Sequence, residues 1–180
     1  LHLRARSGTR IEETARLVDE VETALRQEIP TNELGGILDN IGIPNSGISL
    51  SYSNSGLIGS GDADIMVTLK PNHAPTPEYV RRIRSRMNCE FPGVMFYFLP
   101  ADIVSQTLNL GLPAPFDVQI VGRDIVKNRE IAARLAERIR SVPGAVDVRV
   151  QQPADQPKLN IHVDRIKAGE MGLAERDVAN

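Results

Sequence analysis

The chain has 180 residues, of which 41% are hydrophobic and 24% are charged, and its formal net charge is −2. This composition supports a folded core of ordinary size and excludes disorder over most of the length. The small negative charge disfavours a general nucleic-acid binder, and the single cysteine, Cys89, excludes an intrachain disulfide and a cysteine-based metal knuckle.

The first predicted helix runs from about Arg10 to about Glu28 and follows a short alternating strand over His2–Arg6. Thr9 and Glu12 have the spacing of a capping box, and Pro30 ends the helix. Apolar residues recur at helical spacing and predict one buried stripe: Ile11, Ala15, Val18, Val21, Leu25 and Ile29.

Three further strands and a second helix complete the first half. Strands are predicted over Leu34–Ile41, Ala63–Leu69 and Val94–Leu99, and Thr76 is expected to cap the second helix. The stripe of that helix is Val80, Ile83, Met87 and Phe91. The order strand–helix–strand–strand–helix–strand predicts an α+β, ferredoxin-like sandwich with both helices on one face of the sheet.

The second half is predicted to have the order strand–helix–strand–strand, which is an incomplete unit. A helix is expected from Ile125 or Asn128 to Val142, and Asp164 is expected to cap a short helix that ends at Gly172. Another helix is expected to begin within 174–180. The predicted strands are 116–121, 146–150 and 159–163.

Few side chains suggest chemistry. The three histidines, His2, His73 and His162, are scattered in the sequence and are interpreted as surface residues rather than metal ligands. Asp62 and Asp64 resemble half of a cation loop, but the start of a strand explains them better. No catalytic, cofactor or metal site is predicted, so an enzyme is not expected.

The strand at 94–99 is rich in aromatic residues. Phe96 and Phe98 are predicted to point to one face of the sheet, and Met95, Tyr97 and Leu99 to the other. The second set is either a core covered by another domain or an adaptable surface for apolar ligands. The sequence leaves both readings open.

Four stretches together resemble the second large periplasmic loop of resistance–nodulation–division (RND) efflux transporters, and most closely the acriflavine-resistance type, which exports hydrophobic and amphiphilic compounds. Along the chain they are SGTRIEET at 7–14 with VDEVE at 18–22, FLPA at 98–101, FDVQI at 116–120, and Asp164 with MGL at 171–173 and Asp177-Val178. The resemblance covers essentially the whole chain, in order.

This resemblance implies a domain organisation. Residues 1–102 would be the first C-terminal porter subdomain, 103–115 a linker, 116–172 part of the second porter subdomain, and 173–180 the start of the docking-domain segment. Since the sequence begins at Leu1 without methionine or signal peptide, we expect a piece of a longer protein. It has no stretch approaching the roughly 20 apolar residues of a membrane helix.

The resemblance also implies a function. The chain would be the periplasmic part through which substrates enter a proton-driven inner-membrane transporter. The parent would be a homotrimer working with a periplasmic adaptor and an outer-membrane channel, exporting amphiphilic small molecules, with no nucleic-acid partner and no cofactor.

Site residues follow from the same resemblance. Met95 and Tyr97 take the positions of the substrate pocket, and Arg149 matches a cleft arginine. An ordinary solvated strand-face cation is the competing interpretation of Arg149. The switch loop between the two pockets of the family falls within 42–60, where the residues in place of its phenylalanines are Ile43, Ile48, Leu50 and Tyr52.

Two alternatives remain at this stage. A heavy-metal RND exporter would gather methionines at its cleft, whereas the four in this sequence are dispersed: Met66, Met87, Met95 and Met171. A free-standing ferredoxin-like module that binds a ligand and regulates an enzyme is the other alternative.

Overall fold

The computed structural model describes residues 1–43, 59–99, 114–152, 157, 160, 162–174, 176 and 177. Four strands and four helices lie in this part of the chain. In chain order they are β1 (His2–Arg4), α1 (Ile11–Glu28), β2 (Leu34–Ile41), β3 (Asp62–Leu69), α2 (Thr76–Glu90), β4 (Met95–Tyr97), α3 (Ile125–Arg140) and α4 (Arg165–Glu170).

The four strands form one sheet in the order β2-β3-β1-β4, and every neighbouring pair is antiparallel. Together with the strand–helix–strand–strand–helix–strand sequence, this order is the ferredoxin-like α+β sandwich, so the predicted fold is confirmed. The inner strand β1 pairs with β3 on one side and with β4 on the other, so that Leu3 lies opposite both Ala63 and Phe96.

Helices α1 and α2 cover the same face of the sheet. A single buried cluster joins them to the strands, with Val18, Val21 and Leu25 from α1, Ile83 and Met87 from α2, and Leu3, Ala63, Ile65 and Phe96 from the sheet. Each large apolar side chain buried in this way stabilises the fold by roughly 1.5–3 kcal/mol. Most residues of the predicted stripes therefore lie in the core or against it. The exceptions are Ala15 and Val80, which lie outside the buried cluster, and Ile11 at the start of α1, which is 47% exposed.

The predicted caps of the first two helices are wrong. Arg10 is the N-cap of α1, and the Thr9 hydroxyl instead donates to the Arg6 carbonyl at 2.7 Å, closing a turn before the helix. Glu12 pairs with Arg10 at 3.2 Å. Pro75 is the N-cap of α2, so Thr76 is already the first residue of that helix.

The last two helices have side-chain caps. Asp164 accepts hydrogen bonds from the backbone N–H groups of Ile166 and Lys167 at 3.1 and 3.2 Å, which confirms the predicted cap of α4. Asp124 caps α3 in the same way, through Val126 and Lys127 at 3.1 Å each. Such caps satisfy N–H groups that have no partner inside the helix.

Strand β2 lies at the edge of the sheet and contains an irregularity. Its register against β3 shifts between Leu34 and Gly36, so Gly35 is a bulged residue. A Cβ on Gly35 would lie 3.0 Å from the Thr68 carbonyl oxygen. The bulge therefore brings the two backbones close enough that glycine is the residue that fits.

The second half differs from its prediction. Residues 116–121 and 146–150 form no strand ladder within the described residues, because an alternating segment becomes a strand only where another strand pairs with it. Helix α3 buries only Ala136. Residues 159 and 161 of the third predicted strand, 159–163, and residues 175 and 178–180 of the segment 174–180 lie outside the described residues. None of the described helices is long and apolar enough to cross a membrane.

Candidate functional site

The second face of the sheet carries charged and polar side chains. Strand alternation places them there, because neighbours in the sequence of β1, β3 and β4 already point into the core. Across the strands they form two rows. His2 lies between Asp64 and Tyr97, and Arg4 lies between Asp62 and Met95.

His2 is fully buried, which contradicts its interpretation as a surface histidine. Its Nδ1 lies 2.8 Å from Asp64 Oδ1, and its Nε2 lies 3.4 Å from Asp62 Oδ1. Asp62 begins β3 as predicted, but both aspartates are buried, and Arg4 Nε donates to Asp62 Oδ1 at 2.6 Å. The other two histidines, His73 and His162, are exposed as predicted.

Tyr97 lies on β4, at one edge of the sheet, and is only 1% exposed. Its ring stacks on the ring of His2, with centroids 4.4 Å apart and planes at 21°. The guanidinium carbon of Arg149 lies 3.7 Å from the centroid of the Tyr97 ring, a cation–π contact. Burial raises the pKa of Tyr97 and lowers the pKa of Arg149. Arg149 is therefore packed against the sheet rather than solvated on a strand face.

Residues 147–151 bridge the two halves of the chain. Asp147 accepts two hydrogen bonds from Arg84 on α2, from Nε at 2.6 Å and Nη2 at 2.8 Å. It also accepts one from the backbone N–H of Phe98 at 3.0 Å. Arg4 Nη1 donates to the Gln151 carbonyl at 3.1 Å. The second face of the sheet is thus covered by a segment that follows it in the sequence.

A cleft of about 420 Å³ opens beside this bridge, between α2, β4 and residues 145–149. Its apolar lining includes Val94, Met95, Val146 and Val148. Its charged lining is three arginines, Arg84, Arg140 and Arg149, against one carboxylate, Asp147. Such a surface suits an apolar body that carries an acidic or carbonyl group.

The structure brings part of the predicted site together. Met95 is 37% exposed and lines the cleft with Arg149. Tyr97 lies beneath Arg149 and is buried. Ile43 follows β2 and is 66% exposed. The other three switch-loop positions, Ile48, Leu50 and Tyr52, lie outside the described residues.

Sequence reasoning missed Arg84 and Asp147 as cleft residues, and His2, Asp62 and Asp64 as a buried group. The last three carried a usable signal, because charged residues alternated with apolar ones on two strands that the ferredoxin-like order makes neighbours. Arg84 and Asp147 carried none, since their pairing joins α2 to a distant segment.

Metal ligands are not gathered in the described part of the chain, where no group of three or more His, Cys, Asp or Glu side chains is placed to hold an ion. Cys89 is exposed on α2. The charged groups described above are instead used in contacts with one another.

The described residues form a ferredoxin-like sandwich whose second face is covered by a following segment, with a cleft beside that segment. The sequence profile of the AcrB/AcrD/AcrF family matches residues 1–180. The chain therefore belongs to the AcrB/AcrD/AcrF family, and the resemblance to RND transporters is confirmed.

Two curated relatives have names that refer to metal resistance or cation efflux. The cobalt-zinc-cadmium resistance protein CzcA of Cupriavidus metallidurans is 26% identical over 178 residues, which cover 95% of this chain and 16% of the relative. The cation efflux system protein CzcA of an Alcaligenes species is 31% identical over 90 residues, which cover 49% of this chain and 8% of the relative. The chain thus spans a small part of these proteins.

A solved structure shares the fold. The crystal structure of a heavy metal efflux pump superposes with a TM-score of 0.74 at 21% identity, over 99% of this chain and 18% of that protein. At this identity the likeness shows the fold alone.

Proposed function

We propose that this chain is the periplasmic porter portion of a proton-driven RND transporter of the inner membrane, the part through which substrates enter. The observation that carries the proposal is the family match along the whole chain, on a fold whose two halves border a cleft. The parent would be a homotrimer that works with a periplasmic adaptor and an outer-membrane channel. Its role is transport rather than catalysis.

The domain organisation belongs to the same proposal. Residues 1–102 are the first C-terminal porter subdomain, 103–115 the linker, 116–172 part of the second, and 173–180 the start of the docking-domain segment. The switch loop is proposed within 42–60 from the sequence alone.

We propose amphiphilic compounds as the substrates, with an acidic or carbonyl group on an apolar body. A cleft of about 420 Å³ has the size of a small-molecule site. Met95 supplies a polarizable wall, and Arg149 supplies a cation whose ring contact with the buried Tyr97 holds it in place. Three guanidinium groups against one carboxylate leave the cleft positively charged.

Divalent metal cations are the second candidate. The names of the two relatives, one for cobalt, zinc and cadmium resistance and the other for cation efflux, favour them. The charge of the cleft opposes them, because arginine repels a cation and cannot act as a ligand.

An export assay separates these candidates. The intact transporter would be expressed in a bacterial host that lacks its own exporters, and growth would be measured with bile salts, with cationic dyes, and with cobalt, zinc and cadmium salts. We expect protection against bile salts above all, and we expect Arg149→Gln to remove most of it at equal protein abundance. Arg81→Gln, which changes an exposed arginine of α2, is the matched control and should retain protection.

The other outcomes are also decisive. Protection against the three metals alone would favour the second candidate, and protection against none of the compounds would count against export as the function.

A further inference from the structure

Asp147 holds three donors with one carboxylate. Its two oxygens accept the paired hydrogen bonds of Arg84, at 2.6 and 2.8 Å, and Oδ2 also accepts the Phe98 N–H at 3.0 Å. Paired bonds between a guanidinium and a carboxylate fix the angle as well as the distance between the groups. Helix α2 and the end of β4 are therefore both tied to a single residue of the second half.

The backbone of Asp147 is also unusual. Its φ of 56° is in the left-handed region, and the described part of the chain has positive φ at no other non-glycine residue. Aspartate and asparagine tolerate this region better than most residues do, at a small cost. A conformation of this kind persists where the surrounding contacts hold it, and the three hydrogen bonds to the Asp147 side chain are such contacts.

Arg84, the partner of Asp147, also contacts the aromatic ring of Phe98, just after β4. Its guanidinium carbon lies 5.1 Å from the centroid of the Phe98 ring, and the bond to Asp147 raises the pKa of Arg84. The side chains of Arg84 and Asp147 are only 25% and 12% exposed. The pair is thus largely shielded from water, unlike most surface ion pairs, and both residues line the cleft.

Two residues further along the chain, Arg149 contacts the ring of Tyr97. Residues 145–149 are therefore attached to the sandwich at two points, to α2 through Asp147 and to β4 through Arg149.

We propose that Asp147 is a positioning residue whose pairing with Arg84 and Phe98 fixes the width of the cleft, and so determines the largest compound that the cleft admits. The effect on which compounds are exported rests on the proposed function, whereas the effect on the width of the cleft does not. Weakening the pair widens the cleft, favours bulky compounds over small ones, and loosens the contact of Arg149 with Tyr97.

The structural test measures a distance across the cleft in the intact transporter, with its other cysteines replaced. Spin labels would be attached to the native Cys89 on α2 and to a cysteine introduced by Val146→Cys on the opposite wall, where Val146 is 58% exposed. We expect a narrow distribution of distances in the parent. Asp147→Asn, which keeps the tolerance for positive φ, and Arg84→Gln should each lengthen and broaden it.

The double variant and a control complete this test. Asp147→Asn with Arg84→Gln should shift the distribution by clearly less than the sum of the two single changes, because both remove the interaction between Arg84 and Asp147. Arg84→Lys keeps the charge without the paired bonds and should give a smaller shift, which keeps the test informative if a stronger variant fails to fold. Asp19→Asn, at an exposed carboxylate of α1, should shift nothing.

Export supplies the second readout. In Asp147→Asn, resistance to a bulky amphiphile relative to a small one of the same charge should rise about threefold over the parent. Unchanged distance distributions in both single variants, or shifts that add in the double variant, would overturn the positioning role. A parent that exports nothing would instead overturn the proposed function, and the distances would still decide the role of Asp147.

Discussion

Asp62 contacts three groups on the charged side of the sheet. It accepts Arg4 Nε at 2.6 Å and the Gly59 N–H at 3.1 Å, and it lies 3.4 Å from His2 Nε2. Since this aspartate is 1% exposed, water cannot replace it. A buried polar group left without its partner costs far more than an exposed one.

The first prediction follows from this arrangement. Asp62→Ala should lower the free energy of unfolding of the chain by about 3 kcal/mol, because it removes the only carboxylate that the structure places against Arg4 among the described residues and leaves His2 with Asp64 alone of the two aspartates. Urea unfolding followed by circular dichroism measures the change. Asp19→Ala, at an exposed position, should stay within about 0.5 kcal/mol of the parent. A loss below about 1 kcal/mol for Asp62→Ala would show that the face tolerates an unpaired charge.

Tyr97 gives a second prediction, in which two substitutions of the same ring differ. Tyr97→Ala removes the ring between His2 and Arg149 and should cost about 3–5 kcal/mol of stability. Tyr97→Phe keeps the ring and its contacts with His2 and Arg149 and removes only the hydroxyl, so it should cost no more than about 1.5 kcal/mol. Thermal unfolding compares them. Equal losses of stability for the two variants would show that the hydroxyl, rather than the ring, makes the stabilising contact.

Glu33 gives a prediction about acid stability. The Tyr79 hydroxyl donates to Glu33 Oε2 at 2.7 Å and the Ala74 N–H donates to it at 2.6 Å, and these bonds lower the pKa of Glu33. A pKa lowered in the folded state means that the ionised carboxylate stabilises the fold above its ordinary pKa. That stabilisation disappears as the pH falls through the lowered value.

Glu33→Gln should therefore destabilise the chain at neutral pH, and the difference from the parent should shrink as the pH falls below about 4. Urea unfolding across a pH series measures it. Glu20→Gln, at an exposed residue of α1, should change the free energy of unfolding little at any pH in the series. A difference for Glu33→Gln that stays constant with pH would rule out ionisation as its cause.

For individual residues, the sequence predicted the features that depend on neighbours in the chain and missed those that depend on distant contacts. Alternation along β1 correctly separated Leu3 from His2 and Arg4. His2 was interpreted as a surface residue because the histidines are scattered in the sequence, and the alternation could not correct this, since it reports which face a side chain is on and not what covers that face. The covering residues, 147–151, are more than 140 positions away along the chain from His2.

In helix α1, too, the local features were predicted well and the burial of individual residues less well. Its ends were predicted to within one residue, since proline and apolar spacing are local signals. Burial within the stripe was less even than predicted, because Leu25 is 1% exposed whereas Ile11, at the first turn, is 47% exposed. Periodicity gives the direction of a face but not how far the sheet extends beneath it.

The fourth prediction tests this difference in burial within one stripe. Leu25→Ala should lower the free energy of unfolding by about 3 kcal/mol, through lost burial and the cavity left behind. Ile11→Ala removes a similar volume from a half-exposed site and should cost less than half as much. Chemical denaturation of the two variants compares them directly. Equal losses would mean that the first turn of α1 is packed as tightly as its middle.

The predicted strands were correct where another strand pairs with them. The strands of the first half pair with one another in one sheet, and β2 has the predicted bounds Leu34–Ile41. Residues 116–121 and 146–150 have the same alternating pattern but no ladder within the described residues. Strand propensity describes a residue's fit to a sheet surface, so the pattern alone cannot supply the pairing.

For the whole molecule, stability should be unevenly distributed. The sandwich has an extensive apolar core, whereas α3 buries only Ala136 among its residues, and the bridge at 147–151 is polar. Opening α3 and the bridge therefore exposes little apolar surface, while opening α1 and β3 exposes the core.

Hydrogen exchange measures this fifth prediction. Backbone amides of α1 and β3 should exchange at least tenfold more slowly than those of α3. Uniform protection across the chain would indicate that α3 and the sandwich unfold as one unit.

The bulge at Gly35 has a further consequence, which concerns how copies of the chain meet. An eight-residue strand at the edge of a sheet is a template on which another strand can grow into an aggregate. The bulge increases local twist and interrupts the regular spacing of N–H and C=O groups, so a second chain finds a shorter straight edge. In this way one glycine, fixed by its close approach to Thr68, protects β2 from uncontrolled sheet extension.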